Sequence, residues 1–385
     1  MRNSDSPLTT STQFMKCEYP NSKSDLFSGF IERCSSLSGS QGTVAMITMQ
    51  SWMFLSSFGK LRSSLLSNHR ITSMLHLGAR AFNSIGGEVV SSTAFVLAKT
   101  CNAGSDAFDK RSGAFIRLVD GTSEEAKKST LRLALQLRTA DSGFYLGSKA
   151  DFSAIPGSPI VYWLSEKMRR VFLLDTNFGN LVQLAVGLQT GDNNRFLRQW
   201  WEVSQSRSAF NCTSREEAKS SGARWFPYNK GGEFRKWYGN QEYVVNWEND
   251  GKEIFDFKPR SVIRNPTTYF SPSVSWSDIS SGEAAFRRFP KGFIHDSTGH
   301  SGFGEETQLN SLIMLLNSKY VMEVMQVLAP TMHFHIGYVG LVPVVSAVTD
   351  LQQKNVEGLI MTSKRDWDVS EISWSFESNP LVSLT

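Results

Sequence analysis

Residues 22–78 read "SKSDLFSGFIERCSSLSGSQGTVAMITMQSWMFLSSFGKLRSSLLSNHRITSMLHLG", and their apolar positions switch repeatedly between helical and extended spacing. Ser24 is placed as a helix N-cap with Asp25 in the first turn, and Leu26, Phe27, Phe30, Ile31, Cys34 and Leu37 follow at helical intervals. After the turn "SGSQGT", the run "VAMITM" (44–49) is short and apolar, the pattern of a buried strand in a parallel sheet. A helix-like stretch, "MFLSSFGKLRSSLLSNH", precedes a second strand, "ITSMLHLG", and "EVVSSTAFVLAKT" then alternates as a strand paired with its neighbour. Helix, strand, helix, strand, strand is the second half of a doubly wound, Rossmann-like α/β sheet.

Outward from this stretch the organisation changes. Residues 1–16 are polar and Ser/Thr-rich, a frayed tail by composition, and the sheet region is expected over 17–105. Residues 106–165 form a connecting segment with one strand ("FIRLVD") and a leucine-rich helix, and the prolines of "IPGSPIVYWLS" mark a boundary. From 166 to 385 short aromatic strands and loops predict a mixed α+β domain. Within it "QLNSLIMLLNSKYVMEVMQVL" is a helical run, and the terminal "MHFHIGYVGLVPV" reads as a strand and an extended exit packed as scaffold.

The 385-residue chain is 40% hydrophobic and 20% charged, an ordinary globular composition, with a net charge of only +4. Its distribution says more than its size. Between Arg195 and Lys236 there are nine Lys/Arg against four Asp/Glu, and four of the ten tryptophans lie between Arg195 and Tyr238. Basic residues interleaved with aromatics suit a surface that follows a phosphate backbone; a solvated face over a Trp-rich core is the competing reading.

Several classes are excluded. Cys17, Cys34, Cys101 and Cys212 have no CxxC spacing and read as the reduced thiols of a cytoplasmic protein. The His333-x-His335 pair has no third ligand in view and reads as structural. The N-terminus has no apolar core of a signal peptide, and the longest uncharged run, Val324–Thr349, is broken by Pro330, Gly337, Gly340 and Pro343, so no membrane span is expected. Neither "SGSQG" nor "SIGGEV" has the strand–glycine loop–helix context of a cofactor cradle, and Walker A, HExxH and GxSxG patterns are absent.

The stretches "YPNSKSDLFSGFIERC", "VAMITMQSWMFLSSFGKLR", "FNSIGGEVVSSTAFVL", "IPGSPIVYWLS", "GLQTGDNNRFLRQWWEV", "WFPYNKGGEFRKWYGN" and "LLNSKYVMEVMQVLAP" occur in that order. Together they resemble the adenine-specific DNA methyltransferases of BREX phage-defence systems (PglX-like), relatives of type IIG restriction–modification enzymes. The resemblance runs from about residue 17 to about residue 345. It implies the C-terminal portion of such an enzyme: part of the methyltransferase domain at 17–105, the connection 106–165, and a DNA target-recognition domain at 166–385. The family's FxGxG-type loop for S-adenosylmethionine and its Asn-Pro-Pro-Tyr motif for the flipped adenine lie upstream of the matching region. The pairs Asn265-Pro266 and Asn379-Pro380 are followed by Thr and Leu and do not replace that motif. S-adenosylmethionine is thus the cofactor of the full-length family, and this chain alone is expected not to bind it; no catalytic residue is assigned. Phe82 matches the family's second aromatic against the flipped base, with a core plug as the alternative, and Asp25 matches the helix after the missing motif.

The same resemblance implies double-stranded DNA as partner, together with a separate chain carrying the N-terminal half and other BREX proteins. The residues suit DNA. In "TGDNNRF", Thr190, Gly191, Asn193 and Asn194 predict a turn with left-handed positions that exposes backbone amides, while Arg195 and Arg198 offer planar forks to phosphate or guanine. Trp200 and Trp201 would point to opposite sides of an extended segment. In "NKGGEFRKWYGN", Lys230, Arg235 and Lys236 supply charge, Trp237 and Tyr238 flat surface, and Asn240 an adenine-reading amide. "FRRFPKG" (286–292) is a weaker third candidate. Competing with DNA recognition are an active enzyme with an unseen cofactor site and a non-functional remnant whose strand 44–49 is an exposed edge.

Overall fold

A computed structural model describes residues 7–83, 90–99, 110–280, 282–329, 333–345, 353–379 and 382. Contacts divide the chain into two units, Met1–Leu173 and Leu174–Thr385, giving a mixed α/β architecture with several sheets.

The first unit is built on five strands: β1 (Thr43–Met49), β2 (His69–Gly78), β3 (Ser92–Lys99), β4 (Gly113–Arg117) and β5 (Phe144–Gly147). Their order is β1-β3-β2-β4-β5. β3 runs antiparallel to both β1 and β2, so β1 and β2 point the same way, and β2 pairs parallel with β4. One face is closed by the helices Leu26–Leu37 and Gly59–Asn68, whose Ile31, Leu61 and Leu65 pack on Val44, Met74, Phe95 and Phe115. On the other face the helix Glu124–Leu137 covers Ile116 and Leu118 through Ala134 and Leu131.

Three expectations change here. β1 is an edge strand rather than a buried parallel one; only β3 pairs with it among the described residues. Its inner residues Val44 and Thr48 are buried, whereas Ala45, Ile47 and Met49 on the outer face are exposed, Ile47 by 59%. The polar N-terminus is helical over Pro7–Glu18 instead of frayed, because Met15 is buried against Gly29, where a Cβ would sit 2.6 Å from Met15 Cε. The helix at Leu26 is capped by Asp25, not Ser24: the Asp25 carboxylate accepts from the Phe27 amide at 3.4 Å.

The segment 106–165 supplies β4 and β5 to the first sheet, and its Pro-rich end is fastened there too. Arg62, buried, donates to the carbonyls of Gly157, Trp52 and Leu55 at 2.7–2.9 Å. The Ile160 amide donates to Met53 O at 2.9 Å.

The second unit carries two four-stranded sheets. One comprises β6 (Gln183–Ala185), β10 (Ser273–Ser277), β11 (Phe286–Phe289) and β13 (Gly299–Phe303) in the order β11-β10-β13-β6, all antiparallel. The other comprises β7 (Leu197–Gln199), β8 (Trp225–Asn229), β9 (Tyr243–Asn246) and β12 (Ile294–His295) in the order β12-β8-β9-β7, with β12 parallel to β8. Phe196, Phe226, Tyr228, Trp247 and Phe270 form an aromatic core beside the second sheet. Much of the chain's aromatic content is therefore spent on packing.

Candidate nucleic-acid interface

The segment 187–203 is pinned at both ends. Gln189 and Val262 exchange backbone hydrogen bonds at 2.8–2.9 Å. Gly191 has φ +76°, and a Cβ there would lie 2.5 Å from the Arg260 backbone, so glycine is required twice over. Asp192 then caps a single helical turn, Asn193–Phe196, by accepting from the Arg195 amide at 3.1 Å. Asn193 and Asn194 are consequently helical, not left-handed, and exposed. Thr190 is buried and donates to Asn193 Oδ1 at 2.7 Å.

The arginines differ. Arg195 is half exposed, its guanidinium 4.9 Å from the Phe196 ring centroid and 5.1 Å from that of Phe257, with Glu253 at 3.9 Å. Arg198 lies 5.8 Å from the Trp225 ring and donates to the carbonyls of Asn194 and Leu197 at 2.6 Å. The Trp pair is not extended. Glu202 accepts from the Gln199 amide at 2.8 Å, and this capping curls Trp200–Glu202 into a 3₁₀ turn. Trp200 is tied by its indole N–H to Ile372 O, whereas Trp201 is 43% exposed.

The segment 230–240 is likewise a held loop. Lys230 pairs with buried Asp296 at 3.0 Å, Arg235 with Asp366 at 2.9 Å, and Lys236 with Glu283 at 3.5 Å. Trp237 adopts φ +73° and its amide donates to Phe286 O. Tyr238 and Asn240 are buried: the Tyr238 hydroxyl donates to Gln241 Oε1, and Asn240 Nδ2 donates to Glu233 O. Their contribution to the loop is its shape.

An open groove of about 390 Å³ brings the two segments together. Asn193, Asn194 and Arg198 from the first and Lys230 from the second line it, joined by Gln199, Glu202 and Tyr243. Gln199 and Tyr243 face each other as a cross-strand pair between β7 and β9, a neighbour relation that no local spacing announces. The groove mixes fixed cations with amide and carboxylate groups, so it offers both donors and acceptors.

"FRRFPKG" is corrected: Phe286–Phe289 is β11, wholly buried. Arg287, 1% exposed, is held down to about 10 by burial. Asn265 is left-handed and donates through Nδ2 to Val186 O, a turn role. His335 caps the turn Ile336–Val339 by accepting from the Gly337 amide. No group of metal ligands occurs among the described residues, nor a helix long and apolar enough to cross a membrane.

In the first unit, Phe82 is half-buried just beyond β2. At the ends of β1 and β2, His76 is buried between the Tyr162 hydroxyl (3.0 Å from Nδ1) and Gln50 Oε1 (2.8 Å from Nε2). Burial holds His76 down to about 3. The Gly39–Gly42 turn precedes β1 and closes on itself, Gly42 N donating to Gly39 O at 2.9 Å. Gly86 and Gly87 of "SIGGEV" lie outside the described residues.

The Eco57I restriction-modification methylase family model matches residues 2–82. The adenine-specific methyltransferase PglX of Lacticaseibacillus casei (strain Zhang) is 40% identical over 381 residues, 97% of this chain and 31% of that protein. In sequence, the chain is similar to PglX over nearly its whole length. The adenine-specific methyltransferase BrxX of Escherichia coli O9:H4 (strain HS) is 39% identical over 377 residues, 96% of this chain and 29% of that protein. This PglX-like chain thus spans about a third of the length of its relatives. Its fold is similar to that of the type IIL restriction-modification enzyme MmeI, solved in complex with DNA, with a TM-score of 0.50 and 12% identity over 98% of this chain and 49% of MmeI.

Proposed function

We propose that this PglX-like chain is the DNA-reading portion of an adenine-specific methyltransferase of a BREX phage-defence system, with the methyl-donor loop and the Asn-Pro-Pro-Tyr motif supplied outside these 385 residues. The groove that joins Arg198 to Lys230 carries the reading. It sets cations and hydrogen-bonding side chains from two distant segments on one open surface, the combination needed to hold a phosphate backbone and inspect base edges. The DNA complex of MmeI supports it by likeness of fold.

In this reading the first unit is the second half of a doubly wound methyltransferase sheet, and the second unit is the target-recognition domain. Phe82 remains the candidate for stacking on an extruded adenine. Methyl transfer to an exocyclic amine depends on aiming that amine at the donor. None of this chain's Asn-Pro pairs is followed by Pro-Tyr, so that positioning comes from elsewhere.

A second reading, an active methyltransferase completed by a partner chain, is favoured by one feature. The edge of β1 that is unpaired among the described residues borders an apolar groove of about 560 Å³ lined by Ala45, Ile47, Ala94, Val96, Leu131 and Leu135. A further strand and helix fit such an edge and face. Calorimetric titration of S-adenosylmethionine into this chain tests what both readings share, that the cofactor site lies in other residues. No saturable heat is expected of the chain alone; tight binding by the chain alone overturns the assignment of the cofactor site to other residues.

A further inference from the structure

Phe234 is 54% exposed in the middle of the basic loop 230–240, and the loop around it is held with unusual thoroughness. The Lys230 carbonyl lies 3.0 Å from Thr298 Oγ1, and that of Gly232 accepts from Ser277 Oγ at 2.8 Å. The Glu233 carbonyl accepts from Asn240 Nδ2 at 2.8 Å and Arg287 Nη1 at 3.4 Å, and that of Arg235 from the same Nη1 at 3.2 Å. The Trp237 carbonyl accepts from the Arg288 amide at 2.8 Å. Arg287 thus grips the chain on both sides of Phe234. It does so while 1% exposed and with no carboxylate partner among the described residues.

Both features are unfavourable by themselves. A buried guanidinium without a counter-charge is costly, and an aromatic ring left in water forgoes its burial. A lone exposed apolar side chain needs no explanation, but here the exposed ring lies between the two carbonyls that the buried guanidinium holds. The glycines before it are fixed by the same geometry. Gly231 and Gly232 have φ +81° and +125°, and a Cβ on Gly232 would lie 2.8 Å from Asn240 Nδ2. The loop is pre-organised before any ligand arrives, and the side chain it presents is Phe234, with Lys236 Nζ 5.6 Å from its ring centroid.

We infer that Phe234 is a stacking residue that inserts its ring against a base step of duplex DNA while the neighbouring cation holds the backbone. This rests on the DNA-reading function proposed above. An aromatic face on a pre-organised loop stacks on a base without regard to sequence. A ring entering between base pairs also opens the duplex locally, which assists any chemistry on an extruded base.

The test is binding of the full chain to the tightest duplex selected from a random pool, labelled at both ends so that energy transfer reports bending, across a salt series. Phe234→Ala is expected to weaken binding about 10- to 100-fold and to reduce bending, with the salt slope unchanged because no phosphate contact is lost. Phe234→Tyr is expected to retain most of the affinity and the bend. Wild-type binding that Phe234→Ala leaves intact in affinity and bend overturns the stacking role while the DNA-reading function stands. A loss accompanied by a shallower salt slope also overturns it, since the loop's cations would then carry the effect. A wild-type chain that binds no duplex removes both this role and the proposed function.

Discussion

Lys230 Nζ stands 3.0 Å from Asp296 Oδ2, the oxygen that also accepts a 2.6 Å hydrogen bond from the Tyr228 hydroxyl. The other carboxylate oxygen accepts from the Thr298 amide and hydroxyl, each at 2.7 Å. One buried carboxylate therefore fastens the end of β8, the start of the loop 230–240 and the turn after β12. Replacing Asp296 with Ala removes the acceptor that the Tyr228 hydroxyl and Lys230 share in a buried site. The expected loss is about 2–4 kcal/mol of stability, discounted for the partial exposure of Lys230. Denaturant midpoints measure it, and an unchanged midpoint contradicts the clamp.

The groove makes a separable prediction. Arg198→Ala and Lys230→Ala are each expected to weaken duplex binding and to lower the slope of log affinity against log salt by about 1. Arg195→Ala and Arg235→Ala are expected to weaken binding by about 1–3 kcal/mol if either fork reads a guanine. Fluorescence anisotropy across a salt series distinguishes loss of a phosphate contact from loss of a base contact. Unchanged affinity in all four variants removes both segments from the interface.

Acid is expected to weaken both units. Burial holds His76 in the first and His295 in the second down to about 3. An unfolded chain takes up protons on these imidazoles near their ordinary value of about 6.5, while the folded chain does not. Their effect is absent above about pH 7 and grows as pH falls from about 6.5 towards 3, at up to about 1.4 kcal/mol per pH unit for each group. His69 and His300, also lowered chiefly by burial, act with the same sign. Urea midpoints at pH 7 and pH 5 check this; a midpoint that rises at pH 5 contradicts it.

The open edge of β1 predicts self-association of the isolated chain. Ile47 is 59% exposed on that strand, so Ile47→Lys introduces charge where another strand would dock, at little expected cost to the fold. Light scattering at increasing concentration should show less association for the variant at an unchanged melting temperature. Equal association means that the edge is not the sticky surface.

The sequence made local features legible where spacing or a cap decides them. β1, β2 and β3 and the helix Leu26–Leu37 follow apolar periodicity, and Gly191 marks a turn that needs positive φ. What it concealed depends on partners distant in the chain. The apolar run 44–49 looks the same whether a strand is central or at an edge, and Met15 turns a polar tail into a helix only by meeting Gly29. Glu202 curled the Trp pair through a cap that an extended reading did not consider. Arg287 and Arg288 looked like surface cations because charge ordinarily lies outside. Their burial follows from carbonyls that tertiary structure brings to them, Arg287 serving the loop 230–240 and Arg288 the strand ends at Ser273 and Phe289.

Binding of duplex DNA by this chain alone, followed between about 50 and 200 mM salt, bears most directly on the DNA-reading assignment. Saturable binding that falls steeply over that range, and further on substitution of Arg198 or Lys230, is the predicted result. A chain that is folded, as shown by a cooperative melt, yet binds no duplex at the lowest salt contradicts the account.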